Sequence, residues 1–163
     1  MIPVSERSAK LRDELKSCIK GKAAIVGIGN IIRGDDGLGP KLISILRERK
    51  AQFTLFDCGT APENYIIPIL SSDCDTVILV DATDIGEAPG EIRVIGLDQI
   101  STISFSTHNP SPRLFTDLLR TGKDNLHIFV VSIQPKDTSL GKPLSSEVLE
   151  SIDTLAKALS ETI

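Results

Sequence analysis

Short unbroken apolar runs alternate along the chain with longer stretches in which apolar residues recur every three or four positions. Lys22-Ala-Ala-Ile-Val-Gly-Ile28 is the first run, stopped by Gly29 and Asn30. Residues 53–57, 76–80 and 126–133 repeat the pattern, with Thr76-Val-Ile-Leu-Val80 the clearest. Runs of this length without a polar face predict strands buried on both sides. Glu91-Ile-Arg-Val-Ile95 instead alternates polar and apolar, which predicts an edge strand.

Helical spacing fills the intervals. Residues 4–19 place Val4, Leu11, Leu15 and Cys18 or Ile19 on one side. Leu38, Leu42, Ile45 and Leu46 predict a second helix, with Pro40 in its first turn, where a missing N–H costs nothing. Residues 63–70 predict a short helix interrupted by Pro68, and 111–120 a helix with Leu114, Phe115 and Leu118 inward. The last helix begins after Ser145, a good N-cap with Glu147 in its first turn, and buries Val148, Ile152, Leu155 and Leu159. Alternating helices and doubly buried strands predict a single three-layer α/β domain, a twisted, mostly parallel sheet with helices on both faces. At 163 residues the chain has room for one such domain. In folds of this kind ligands sit beyond the carboxyl ends of the strands.

Composition narrows the function classes. The formal net charge of −4 and 4% aromatic content argue against a phosphate-backbone partner and against base stacking. No apolar run reaches the roughly 18 residues that span a bilayer, so no membrane partner is expected. The charged amino terminus lacks the apolar stretch of a secretory signal, and a cytoplasmic location is expected. Cys18, Cys58 and Cys74 are odd in number and far apart, so they predict buried thiols rather than a disulfide framework or a zinc knuckle.

Three strand-end features could carry chemistry. The loop from Gly27 to Pro40 is glycine-rich but has Ile32 where a dinucleotide fingerprint needs its third glycine. It also places Asp35 and Asp36 where a phosphate would approach, which disfavours a nucleotide. One Asp can cap a helix; a second beside it points to a loop shaped for a cation. Asp81 ends the most buried strand, where a carboxylate is expected either to point into the strand-end crevice or, as a lone Asp more often does, to serve a turn or cap; Asp84, before Gly86, fits a turn. Of the two histidines, His127 lies inside a strand and reads as structural, whereas His108 lies in a loop just ahead of a helix. Two carboxylates and an imidazole, Asp36, Asp81 and His108, suit a borderline divalent metal such as nickel or zinc.

The segments Gly27-Ile-Gly-Asn30 and Gly34-Asp-Asp-Gly-Leu-Gly-Pro40 resemble the signature of the hydrogenase maturation endopeptidases. The resemblance continues through Asp57-Cys-Gly-Thr-Ala-Pro-Glu-Asn64, Val80-Asp-Ala-Thr-Asp84 with Pro89-Gly-Glu-Ile92, Thr107-His-Asn109 and Ile133-Gln-Pro135. It is strongest to the branch serving formate-hydrogenlyase-type and related archaeal hydrogenases. It implies a hydrolase of the aspartic-protease type that removes the C-terminal extension of a [NiFe]-hydrogenase large-subunit precursor after nickel insertion. It further implies that Asp36, Asp81 and His108 are both catalytic and nickel-contacting, with Asp35 a neighbouring loop residue. The nickel would arrive with the precursor, leaving the free enzyme metal-free. Residues 1–20 read as an N-terminal extension helix ahead of a 21–163 maturation-protease-like domain. Cys58 and Ser132 stand where glycine is usual. The attacking group is either a water activated by Asp36 or Asp81 or one aided by nickel on the scissile carbonyl. The alternative reading is a non-catalytic module of the same fold that binds nickel or the precursor.

Overall fold

The strand and helix periodicities sort their apolar residues onto two separate cores. In the computed structural model, which describes residues 2–102 and 112–163, the elements follow the predicted order. They are α1 (Val4–Cys18), β1 (Ala23–Ile28), α2 (Leu38–Glu48), β2 (Thr54–Gly59), α3 (Ile66–Ser71), β3 (Thr76–Ala82), β4 (Ile92–Gly96), α4 (Pro112–Gly122), β5 (His127–Ile133) and α5 (Ser146–Ser160). Short 3-10 turns precede α2 and α3 and follow β4. The sheet order is β2-β1-β3-β5-β4. All pairings are parallel except β4 with β5; the alternating segment is the edge strand, as its pattern predicts, and it runs antiparallel to its neighbour.

Side chains alternate across the strands. Ile25, Ile78, Val80, Phe129 and Val131 join α1, α2 and α5 in one core, and Ala24, Val26, Val77, Leu79, Ile128 and Val130 join α3 and α4 in the other. β1 and β3 are flanked on both faces and buried along their whole length, so the polar residues of β3 stand only at its two ends, Thr76 and Asp81. Ser145 caps α5 as predicted, accepting a hydrogen bond from the Val148 amide. Pro68 is the third residue of α3, where its missing N–H breaks no bond; the chain upstream forms a 3-10 turn.

Two predicted faces are corrected. In α4, Phe115 and Leu119 are buried while Leu114 and Leu118 are exposed. In α1 the buried stripe is Ser8, Leu11 and Leu15, and Val4 is exposed. Of the three thiols, Cys58 and Cys74 are buried and Cys18 is half-buried. Among the described residues, no helix is long and apolar enough to cross a membrane.

Helix α2 lies unusually close to the sheet. A Cβ on Gly39 would fall 2.6 Å from the Ile28 amide and 2.9 Å from the Val80 carbonyl oxygen. The helix axis can approach β1 and β3 this closely only because position 39 has no side chain. The loop that feeds α2 is thereby pinned over the carboxyl ends of the central strands.

Candidate functional site

The loop after β1 begins at a break in the ladder. Gly27 pairs with Asp57 but Ile28 with Gly59, so Cys58 is the extra residue of a bulge. Gly59, not Cys58, takes the left-handed conformation (φ 52°), which is why a thiol is tolerated at 58. Gly29 follows at φ 146°, where a Cβ would collide with the Asp36 carbonyl oxygen. The chain thus folds back on itself, and the Asn30 amide donates to Asp36 Oδ2 at 2.9 Å.

The adjacent acids occupy different environments. Asp35 is fully buried, and its carboxylate accepts from the amides of Lys136 (2.8 Å), Asp137 (3.1 Å) and Ser145 (2.7 Å) and from the Ser145 hydroxyl (2.9 Å). It knits the β1–α2 loop to the β5–α5 loop and to the start of α5. Neither it nor Asp36 caps the turn or the helix that follows, contrary to the simple capping expectation. Asp36 is half-buried.

Asp81, the penultimate residue of β3, is buried, and its Oδ1 accepts from the Ala82 amide at 2.8 Å. Burial holds its carboxyl well above the ordinary range, and the nearby charge of Asp36 raises it further; the Ala82 hydrogen bond opposes both. The structure therefore brings Asp36 and Asp81 close enough to interact. His108, the third predicted member, lies outside the described residues, and among the described residues no three His, Cys, Asp or Glu side chains gather as a metal site.

The loop after Asp81 is held by a residue to which the sequence reading gave no role of its own. Gln134 Oε1 accepts from the amides of Ile85 (2.7 Å) and Glu87 (3.3 Å), and its Nε2 donates to Asp84 Oδ1 (3.3 Å). Asp84 also accepts from the Gly86 amide, the predicted turn role. Ser132, the register partner of Asp81, is buried and donates to Thr83 Oγ1 at 3.2 Å. The Ile133-Gln-Pro135 block was the available signal for Gln134. Cys58 is no nucleophile: burial first, and then the charge of Asp57, push its thiol up to about 12, so it stays protonated.

His127 sits at the opposite end of β5, paired with Thr76, its ring centroid 6.1 Å from that of Phe129. Five residues at about 3.3 Å each place it roughly 16 Å along the strand from Ser132 and the site.

Comparison with known proteins agrees with this architecture. The family model for hydrogenase maturation protease matches residues 40–162. The hydrogenase 3 maturation protease of Escherichia coli K12 is 33% identical over 134 residues, covering 81% of this chain and 85% of that protein. The solution structure of the endopeptidase HycI from E. coli superposes with a TM-score of 0.79 at 30% identity, covering 86% of this chain and 90% of that one. The crystal structure of a [NiFe] hydrogenase maturation protease HycI from Thermococcus kodakarensis KOD1 superposes with a TM-score of 0.80 at 28% identity, covering 91% and 97%. With a strand-end acidic pair in the loops that carry the signature, and a family match over most of its length, the chain belongs to the hydrogenase maturation protease family.

Proposed function

We propose that this protein is an aspartic-type endopeptidase that removes the C-terminal extension of a [NiFe]-hydrogenase large-subunit precursor once nickel is in place. The observation that carries the reading is the Asp36–Asp81 pair at the carboxyl end of the sheet, one acid half-exposed and the other buried with a raised pKa. Asp36, Asp81 and His108 are its proposed contacts to the nickel held by the precursor. Oxygen and nitrogen donors suit that ion, and the protease would complete a coordination sphere begun on the substrate side. Its proposed place of work is the cytoplasm.

The chemistry is addition of water to the scissile carbonyl and departure of the tail's amine, leaving a new carboxylate on the mature subunit. Asp36 is the better base for that water, because it is half-exposed and its Oδ2 is held in place by the Asn30 amide. Burial and the charge of Asp36 favour the protonated form of Asp81, a balance that a cation would shift toward the carboxylate. Nickel carried by the precursor would supply Lewis-acid polarisation of the scissile carbonyl.

Incubation with nickel-loaded precursor, followed by intact-mass analysis, tests the proposal. The expected result is loss of the C-terminal extension. Stable association with no change of mass would instead assign a binding module.

A further inference from the structure

Among the described residues, exposed large apolar side chains are scattered over helix faces and termini, with one exception. Ile31 (74% exposed), Ile32 (57%) and Leu140 (66%) stand on two loops that are zipped together beside the acidic pair. The Gly141 amide donates to the Ile32 carbonyl at 2.8 Å, Gly34 to Lys142 at 3.1 Å and Asp35 to Asp137 at 2.9 Å. The buried Asp35 carboxylate ties the same two loops from beneath. These side chains cannot fold away, because the backbone beneath them is pinned on both strands of the loop pair. Exposed apolar groups held on a rigid base beside a functional site mark a contact surface.

The platform runs into a cleft of about 340 Å³ lined by Ile31, Pro40, Pro143 and Leu144. Lys41 and Lys142 also line it, against one carboxylate, Asp57. A cation-lined apolar cleft is notable in a chain whose net charge is −4. It complements a partner face that is apolar at its centre and acidic at its rim. The surface is continuous with the acidic pair, since the Asn30 amide that holds Asp36 directly precedes Ile31.

We propose that Ile31, Ile32 and Leu140, with the Lys41–Lys142 cleft, form the docking surface for the hydrogenase large-subunit precursor, receiving an apolar patch of that protein flanked by carboxylates. The identity of the occupant rests on the function proposed above; the surface itself rests on exposure, rigidity and charge. Docking here would set the precursor against Asp36 before any bond is cut.

The test is single-turnover cleavage of each nickel-loaded large-subunit precursor encoded in the same genome, with enzyme in excess. Ile31→Ser/Leu140→Ser and, separately, Lys41→Glu/Lys142→Glu should each raise the half-saturating enzyme concentration about tenfold or more. The loss in the lysine variant should shrink at high salt, and Ile163→Ser, equally apolar but at the far terminus, should behave as wild type. If the apolar double variant melts early, the lysine pair carries the test alone. Wild-type half-saturation in both double variants overturns the proposal, as does a change in the free protein's oligomeric state on Ile31→Ser/Leu140→Ser, which would assign the surface to self-association. Failure of the wild-type protein to shorten any precursor would count against the proposed function instead. In that case, capture of precursor by wild type and its loss in the double variants would still support the docking surface.

Discussion

The Asp35 carboxylate accepts three backbone amides and one hydroxyl from a segment more than a hundred positions away in sequence. Truncation to Ala would strand those donors, at a cost of roughly 3 kcal/mol or more, because bonds to an ionised acceptor are the strong ones. Asp35→Ala should therefore lower the urea midpoint sharply. Asp36→Asn should leave it within about 1 kcal/mol of wild type, as expected for a half-exposed side chain, while abolishing processing. Asp81 differs again. Its native carboxyl holds a proton more tightly than the unfolded chain does, so its contribution to stability falls as pH rises from the ordinary carboxylate range through the raised native value. Asn keeps the acceptor for the Ala82 amide and never ionises. Asp81→Asn should thus melt above wild type at neutral pH, the gap closing toward about pH 4, and should be inactive. Thermal melts from about pH 4 to about pH 8 check the sign, and a variant that melts below wild type at neutral pH would refute it. The sequence alone marked both members of the acidic loop as candidates for one role. What separates them is which carboxylate meets the β5–α5 loop, a long-range fact that no local pattern encodes.

Among the elements, the contact of α2 on β1 and β3 fixes where Asp36 can stand. Gly39→Ala would gain helix propensity of up to about 1 kcal/mol if α2 were free. Against the sheet its Cβ meets Ile28 and Val80 backbone at less than 3 Å, so the helix must lift. The expected outcome is a lower melting temperature together with loss of processing; a stabilised, active Gly39→Ala would mean that the helix can retreat without moving the loop. His127 lies at the amino end of β5, so His127→Gln should process normally, whereas His108→Ala should not process. Equal loss in both folded variants would remove the distinction. Strand positions and sheet type were legible because a strand covered on both faces admits few polar residues, and the alternation at 91–95 marked the edge. The inward face of α4 was not legible. Apolar residues at 114, 115, 118 and 119 form two overlapping stripes, and only packing against the sheet selects Phe115 and Leu119 over Leu114 and Leu118. The bulge at Cys58 was equally hidden, since its cause is the turn into the site and not the composition of the strand.

At the scale of the whole molecule, the proposed site is acidic, the surface beside it is apolar and basic, and the chain as a whole carries −4. Burial and the charge of Asp36 both disfavour an ionised Asp81, an arrangement that a cation would relieve. A neutral peptide bond offers it no such relief. Recognition of the reacting segment then depends on the ion the precursor carries, and a precursor without nickel presents the wrong charge even when it docks correctly. Free nickel should bind weakly, since two carboxylates and one imidazole leave its coordination sphere incomplete. The expected outcome is an order of events: apo precursor is not shortened, nickel insertion into the precursor restores shortening, and nickel added to the protease alone does not. Intact-mass analysis of the precursor at each stage reads all three. Normal processing of the nickel-free precursor would refute gating by the metal while leaving the peptidase and its docking surface standing, because the platform at Ile31, Ile32 and Leu140 makes no use of the ion.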